Sequence, residues 1–145
     1  MSKIAFVFPG QGAQYVGMGK ELYESEAIVK STFDEASQVL GYDMVALCFT
    51  ENEQLHQTEY TQPAILTVSI AFWRLLESKG QTCDYVAGLS LGEYSALVAS
   101  GALDFASALK LVAKRGALMA NAAPSGSGKM VAVMNTPIEQ IEAAC

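Results

Sequence analysis

Tyr85-Val86-Ala87-Gly88-Leu89-Ser90-Leu91-Gly92-Glu93-Tyr94 is the stretch that decides the fold. Tyr85 to Gly88 reads as a short strand, and Leu91 to Ser100 as a helix that Gly101 ends. Between them, Gly88-Leu89-Ser90-Leu91-Gly92 fits G-x-S-x-G. Such a strand-to-helix turn crowds its own backbone, so glycines are needed two before and two after the serine. It holds the serine Oγ out at the carboxyl end of the strand. The helix that follows directs its free N–H groups and positive dipole end to the same place. Negative charge developing on an oxygen there would be stabilised. The plain alternative is a structural turn without chemistry.

Working outward, Ile4-Ala5-Phe6-Val7-Phe8 is an unbroken apolar run bounded by Pro9-Gly10. It reads as a strand buried on both faces, the kind found in parallel sheets covered by helices. Gly10-Gln11-Gly12-Ala13-Gln14 then forms a glycine-rich turn. The spacing predicts helices over 27–40, closed by Gly41, and over 63–79, with Pro63 in the first turn and Gly80 at the stop. Asp104 is suited to cap a helix running to about Ala122. Met130 to Met134 reads as a third strand, and Pro137 opens a last helix cut off at Cys145. Alternating strand and helix give an α/β class with a mainly parallel sheet. Pro124-Ser125-Gly126-Ser127-Gly128 is the clearest linker and a candidate domain boundary. One strand and part of a helix cannot bury a core alone, so the chain is expected to continue past its C-terminus.

Composition narrows the functional classes. The chain has 145 residues, 51% hydrophobic and 17% charged, so it can fill a core and lacks the disordered signature. A net charge of −6 argues against a nucleic-acid surface. The three cysteines, Cys48, Cys83 and Cys145, form no CxxC pair, which leaves metal and redox readings weak and fits a reducing cytoplasm. No secretory leader pattern opens the chain. The apolar stretch from Pro63 to Trp73 is far shorter than the roughly 20 residues a bilayer needs.

A serine nucleophile needs a base. The one histidine, His56, lies upstream in a polar stretch, whereas in the hydrolase order the acid and histidine follow the serine. Either His56 acts in an unusual order or the base lies beyond residue 145; the second reading is preferred, with His56 a solvated surface side chain. Arg115 is the other candidate. Phe105, Ala108, Val112 and Met119 recur at helical spacing, and Arg115 falls on their stripe. Lys114 falls about 100° round the helix. A guanidinium on a buried face needs a partner. It can pair with an internal carboxylate, snorkel to solvent, or await a partner that arrives with a ligand. Guanidinium grips a carboxylate through two parallel hydrogen bonds, which lysine cannot copy.

Four blocks together carry a family resemblance. Phe6-Val7-Phe8-Pro9-Gly10-Gln11-Gly12-Ala13-Gln14 resembles the opening signature of malonyl-CoA:acyl-carrier-protein transacylases and related acyltransferase domains. Tyr60-Thr61-Gln62-Pro63-Ala64 resembles their second signature, and Gly88 to Leu97 their nucleophile block. Lys114-Arg115-Gly116 with Met119 resembles their substrate-arginine block. The resemblance implies a ping-pong reaction in fatty-acid synthesis. Malonyl-CoA would acylate Ser90 and release CoA, and the phosphopantetheine thiol of acyl carrier protein would then take the malonyl group. Arg115 would hold the malonyl carboxylate, the backbone N–H groups of Gln11 and Leu91 would form the oxyanion hole, and Gln62 would line the site. No metal and no cofactor is implied, and neither is a nucleic-acid or membrane partner; the setting is cytoplasmic. The implied fold is an α/β-hydrolase-like parallel-sheet core, with residues 1–123 its first part. Residues 124–145 would be a linker and the first strand and helix of an inserted ferredoxin-like subdomain. Two departures stand out: Leu89 occupies a position that is histidine in many members, and the family's catalytic histidine lies downstream of anything present here.

Two other functions remain in view. One is a serine hydrolase of the lipase or thioesterase kind. Against it, an apolar acyl substrate has no use for a buried guanidinium. The other is a non-catalytic binding piece whose partner chain supplies the histidine.

Overall fold

Two short strands, β1 (Ala5–Phe8) and β2 (Tyr85–Gly88), lie side by side and parallel in the computed structural model, which describes residues 3–122, 127 and 133–145. Their register runs from Ala5↔Tyr85 to Phe8↔Gly88. Asp84 ties the two strands together where they begin. Its carboxylate accepts from Lys3 Nζ at 2.8 Å and from the Ile4 N–H at 3.0 Å. Those two donors hold it below the usual carboxylate range.

Helices α1 (Lys20–Ser25), α2 (Ala27–Leu40), α3 (Met44–Phe49) and α4 (Thr58–Ser78) fill the long crossover between the strands. After β2 come α5 (Gly92–Ala99), α6 (Phe105–Ala120) and α7 (Ile138–Ala144). The core forms where α2, α4 and α6 meet. Phe33 and Ala36 of α2, Leu66 and Ile70 of α4, and Leu109 and Val112 of α6 are wholly removed from solvent. Burying a side chain of the larger kinds among these stabilises by about 1.5–3 kcal/mol. Asp104 caps α6 as expected, its carboxylate accepting from the Ser107 N–H at 2.8 Å. Gly41 and Gly101 follow α2 and α5 in the left-handed region, at φ of 77° and 76°, as their places in the sequence require.

Three expectations need correction. Helix α4 starts at Thr58, so Pro63 lies inside it and not in its first turn. Proline there forfeits one intrahelical bond. The surrounding burial of Thr61 to Leu66 holds the helix together regardless, and Thr61 Oγ1 ties its start to Leu55 O at 2.6 Å. Second, β1 is not covered on both faces. Phe8 is 8% exposed but Val7 is 76% exposed, and exposure alternates along both strands. Among the described residues nothing covers the face bearing Val7, and a groove of about 410 Å³ opens along β1 between Phe6, Val7, Phe72 and Leu76. Third, Met119 is 43% exposed and not part of the buried stripe, which continues instead through Gly116. The linker Pro124–Gly128 and the strand Met130–Met134 lie outside the described residues, apart from Ser127, Val133 and Met134; the last two are exposed and in no strand.

Gly116 sets how closely α6 approaches α4. A Cβ at this position would lie 2.6 Å from Thr58 O and 2.7 Å from Glu59 Cα, both backbone atoms. In an open helix, glycine to alanine would stabilise by up to about 1 kcal/mol. Here the sign reverses: Gly116→Ala is expected to destabilise the full-length protein by about 1–3 kcal/mol. Thermal unfolding against wild type reads this, and an unchanged or raised Tm would refute the close approach.

Candidate active site

The serine of the turn sits in a strained backbone. Ser90 has φ of 52°, one of the described non-glycine residues in the left-handed region. Both flanking glycines are required by contact. A Cβ on Gly88 would fall 1.9 Å from the carbonyl carbon of Gly92. A Cβ on Gly92 would fall 2.2 Å from Phe8 O, at the end of β1. The neighbouring strand therefore presses directly on the turn, and Leu89 N–H donates to Phe8 O at 3.2 Å. Gly10 adds a third close approach, its would-be Cβ lying 2.8 Å from Leu89 O. Ser90 itself is exposed, as is Leu89 at 74%.

Arg115 reaches Ser90 from α6. Its Nη2 donates to Ser90 Oγ at 3.0 Å, and its Nη1 donates to Gln62 Oε1 at 2.7 Å. Gln62 is wholly buried in α4, and its Nε2 approaches Met119 Sδ at 3.4 Å. That contact orients the amide with its oxygen towards the guanidinium. Tyr94, one turn after the serine, places its ring under Arg115, with Cζ 5.5 Å from the centroid. Among the described residues no carboxylate pairs with Arg115, so the internal-carboxylate reading of this arginine does not hold. Its cation is held by neutral groups, beside an exposed hydroxyl.

The loop from Gly10 to Gln14 is braced against the same region. Gln11 Nε2 donates to Thr58 Oγ1 at 3.1 Å, joining the loop to the start of α4. The Gly12 N–H donates to Gln14 Oε1 at 2.8 Å. The Leu91 N–H belongs to the unsatisfied first turn of α5, and its side chain is fully buried. The site thus brings together Ser90, Arg115 and Gln62. Gln11 and Leu91 are the residues that adjoin it through the loop and the turn.

His56 is not among them. It is exposed in a short 3₁₀ segment, Gln54–His56, and among the described residues the only hydrogen-bond partner of Ser90 Oγ is Arg115. Cys48 is no alternative nucleophile: burial pushes its thiol up to about 12. Among the described residues, no group of three or more His, Cys, Asp or Glu could hold a metal ion. No described helix is long and apolar enough to cross a membrane. Sequence reasoning missed Tyr94 and Thr58 as neighbours of the site. Tyr94 was signalled only by its i+4 spacing from Ser90, and Thr58 by nothing local.

Known proteins share this sequence and fold. The chain is 50% identical over 143 residues to a malonyl CoA-acyl carrier protein transacylase of Bacillus subtilis, covering 98% of this chain and 45% of that protein. A crystal structure of MCAT from Streptococcus pneumoniae matches with 67% identity and a TM-score of 0.89, covering 97% of this chain and 46% of that one. A malonyl-transacylase solved in complex with a type II PKS acyl-carrier protein matches with 50% identity and a TM-score of 0.83, over 86% of this chain and 41% of that one. The chain therefore spans about half the length of the relatives it matches. The model of the acyl transferase domain matches residues 5–145. That match runs over nearly the whole length: the chain belongs to the acyl transferase domain family.

Proposed function

We propose that this chain forms the nucleophile half of an enzyme that moves a malonyl group from CoA to the phosphopantetheine thiol of acyl carrier protein. The observation that carries the reading is the Arg115 guanidinium, 3.0 Å from Ser90 Oγ and without a carboxylate partner among the described residues. In this reading Ser90 Oγ attacks the thioester carbonyl of malonyl-CoA. The tetrahedral oxyanion is met by the N–H groups of Gln11 and Leu91, at the N-terminus of α5. The carbonyl re-forms as CoA leaves as its thiol, giving a malonyl-serine ester. The thiol of the carrier protein then attacks that ester and regenerates Ser90. Arg115 binds the malonyl carboxylate while Gln62 holds the guanidinium from behind. The proton of Ser90 goes to a base outside these 145 residues, since among the described residues His56 makes no hydrogen bond to the hydroxyl. Acyl transfer through serine needs no metal and no cofactor, and the setting is the cytoplasm.

The same reading gives residues 1–123 to the first part of a hydrolase-like α/β core. Residues 124–145 begin an inserted ferredoxin-like subdomain. With only two strands paired, each sheet edge is open to further strands, and the bare face bearing Val7 is open to further covering elements; the span of about half the relatives' length supports the same reading.

The test is a comparison of donors on the full-length protein. Arg115→Ala should lower kcat/KM for malonyl-CoA by about 10²-fold, the scale of removing one partner of a desolvated charge pair. Acetyl-CoA, which has no carboxylate, should be spared or improved. Equal losses with both donors would sink the carboxylate role.

A further inference from the structure

Arg115 has three contacts, and they do not survive the reaction equally. The bond from Nη2 to Ser90 Oγ, 3.0 Å in the free protein, depends on a serine hydroxyl. Once Ser90 carries an acyl group, its Oγ is an ester oxygen and a poor acceptor. The bond from Nη1 to Gln62 Oε1 at 2.7 Å then remains, but one in-plane bond leaves the guanidinium free to turn about it. The third contact is the face of Tyr94, 5.5 Å from Cζ. A ring below the plane restricts the turn that a single hydrogen bond allows. It is half-buried, so the attraction between cation and ring is stronger than at an open surface.

The ring is also tied to the nucleophile. Tyr94 stands four residues after Ser90, and its N–H donates to Leu91 O at 3.1 Å within the first turn of α5. The element that presents the hydroxyl therefore carries the platform for the arginine. A bidentate grip on a carboxylate demands a fixed guanidinium plane. We infer that the aromatic face of Tyr94 is a positioning and specificity-determining element. It sets the plane of Arg115 in the acyl-enzyme, and so favours acyl groups that end in a carboxylate over neutral ones. This rests on the proposed carboxylate role of Arg115. Among the described residues the Tyr94 hydroxyl enters no hydrogen bond, so the ring and not the oxygen is what acts.

The experiment measures kcat/KM for malonyl-CoA and acetyl-CoA on one preparation each of full-length wild type, Tyr94→Phe, Tyr94→Leu, Tyr94→Met and Arg115→Ala. Taking the ratio of donors cancels any unfolded fraction. Tyr94→Leu and Tyr94→Met should each lower the malonyl-to-acetyl ratio by about 2- to 30-fold, the range expected for a cation over a ring. Tyr94→Phe, which keeps the ring, should retain the wild-type ratio. Two folded variants without a ring guard against one that does not fold. Equal loss for both donors, an unchanged ratio in Leu and Met, or a Phe variant that behaves like Leu would each overturn the inference. Should Arg115→Ala itself leave the ratio unchanged, the carboxylate role fails first and the inference with it. A collapsed ratio in Arg115→Ala beside a normal one in the Leu and Met variants refutes Tyr94 alone.

Discussion

On the proposed function, full-length protein carrying Ser90→Ala is expected to take up no malonyl group from malonyl-CoA, with transfer to carrier protein falling by more than about 10⁴-fold. The expectation follows from the shape of the turn. Gly88 and Gly92 leave no room for a side chain, and Leu89 and Leu91 bring no nucleophilic atom. The buried Cys48 thiol, pushed up to about 12, cannot stand in. Alanine also suits the fold, because it removes only the hydroxyl of an exposed residue and the one bond that it accepts from Arg115 Nη2. Residual backbone strain at φ of 52° remains, so stability should change little. Intact-mass measurement after mixing with malonyl-CoA reads the outcome directly. An adduct that persists in the variant places the nucleophile elsewhere.

Gln62→Glu is the second large effect. The substitution keeps the shape of the side chain but puts a carboxylate where the amide oxygen now sits, 2.7 Å from Arg115 Nη1. The new pair would be well matched, so the protein should fold. It would also neutralise the arginine from within. A malonyl carboxylate would then meet a site of net zero charge, with a like charge behind the guanidinium. The weakened attraction should lower kcat/KM for malonyl-CoA by about 10- to 10²-fold, approaching the loss in Arg115→Ala. Acetyl-CoA should lose far less. If both donors lose equally, Gln62 shapes the fold and does not serve the clamp.

Much of this site was legible from the residues alone. The turn was readable because its glycines are obligatory on both sides, and steric demands of that kind leave a mark at fixed spacing. Arg115 was readable because a charge on an apolar stripe violates the usual pattern. The stripe itself was misjudged at Met119, which is part-exposed although its Sδ meets the buried Gln62, because period alone does not say where a covering helix stops. Helix α4 was started late, since proline is a common first-turn residue and its place inside the buried stretch of the helix has no local signal. The helices α1 and α3, of 6 residues each, are too short for periodicity to register. Strand β1 was expected to be covered on both faces because an unbroken apolar run carries no alternation. The bare face bearing Val7 depends on what packs there, which no local pattern encodes.

The parallel pairing of β1 with β2 has a kinetic consequence. Ile4 and Asp84, joined by a hydrogen bond, are 80 residues apart in the chain. Closing a loop of that length costs entropy before any contact rewards it, whereas neighbouring helices such as α1 and α2 can form and dock locally. The collision-tight fit of Gly92 against Phe8 exists only after the two strands have met. The turn that holds Ser90 is therefore expected to take its final shape late in folding. On the proposed function, a half-folded chain would expose Ser90 as an ordinary serine, and acyl donors would be safe from it until the sheet had closed.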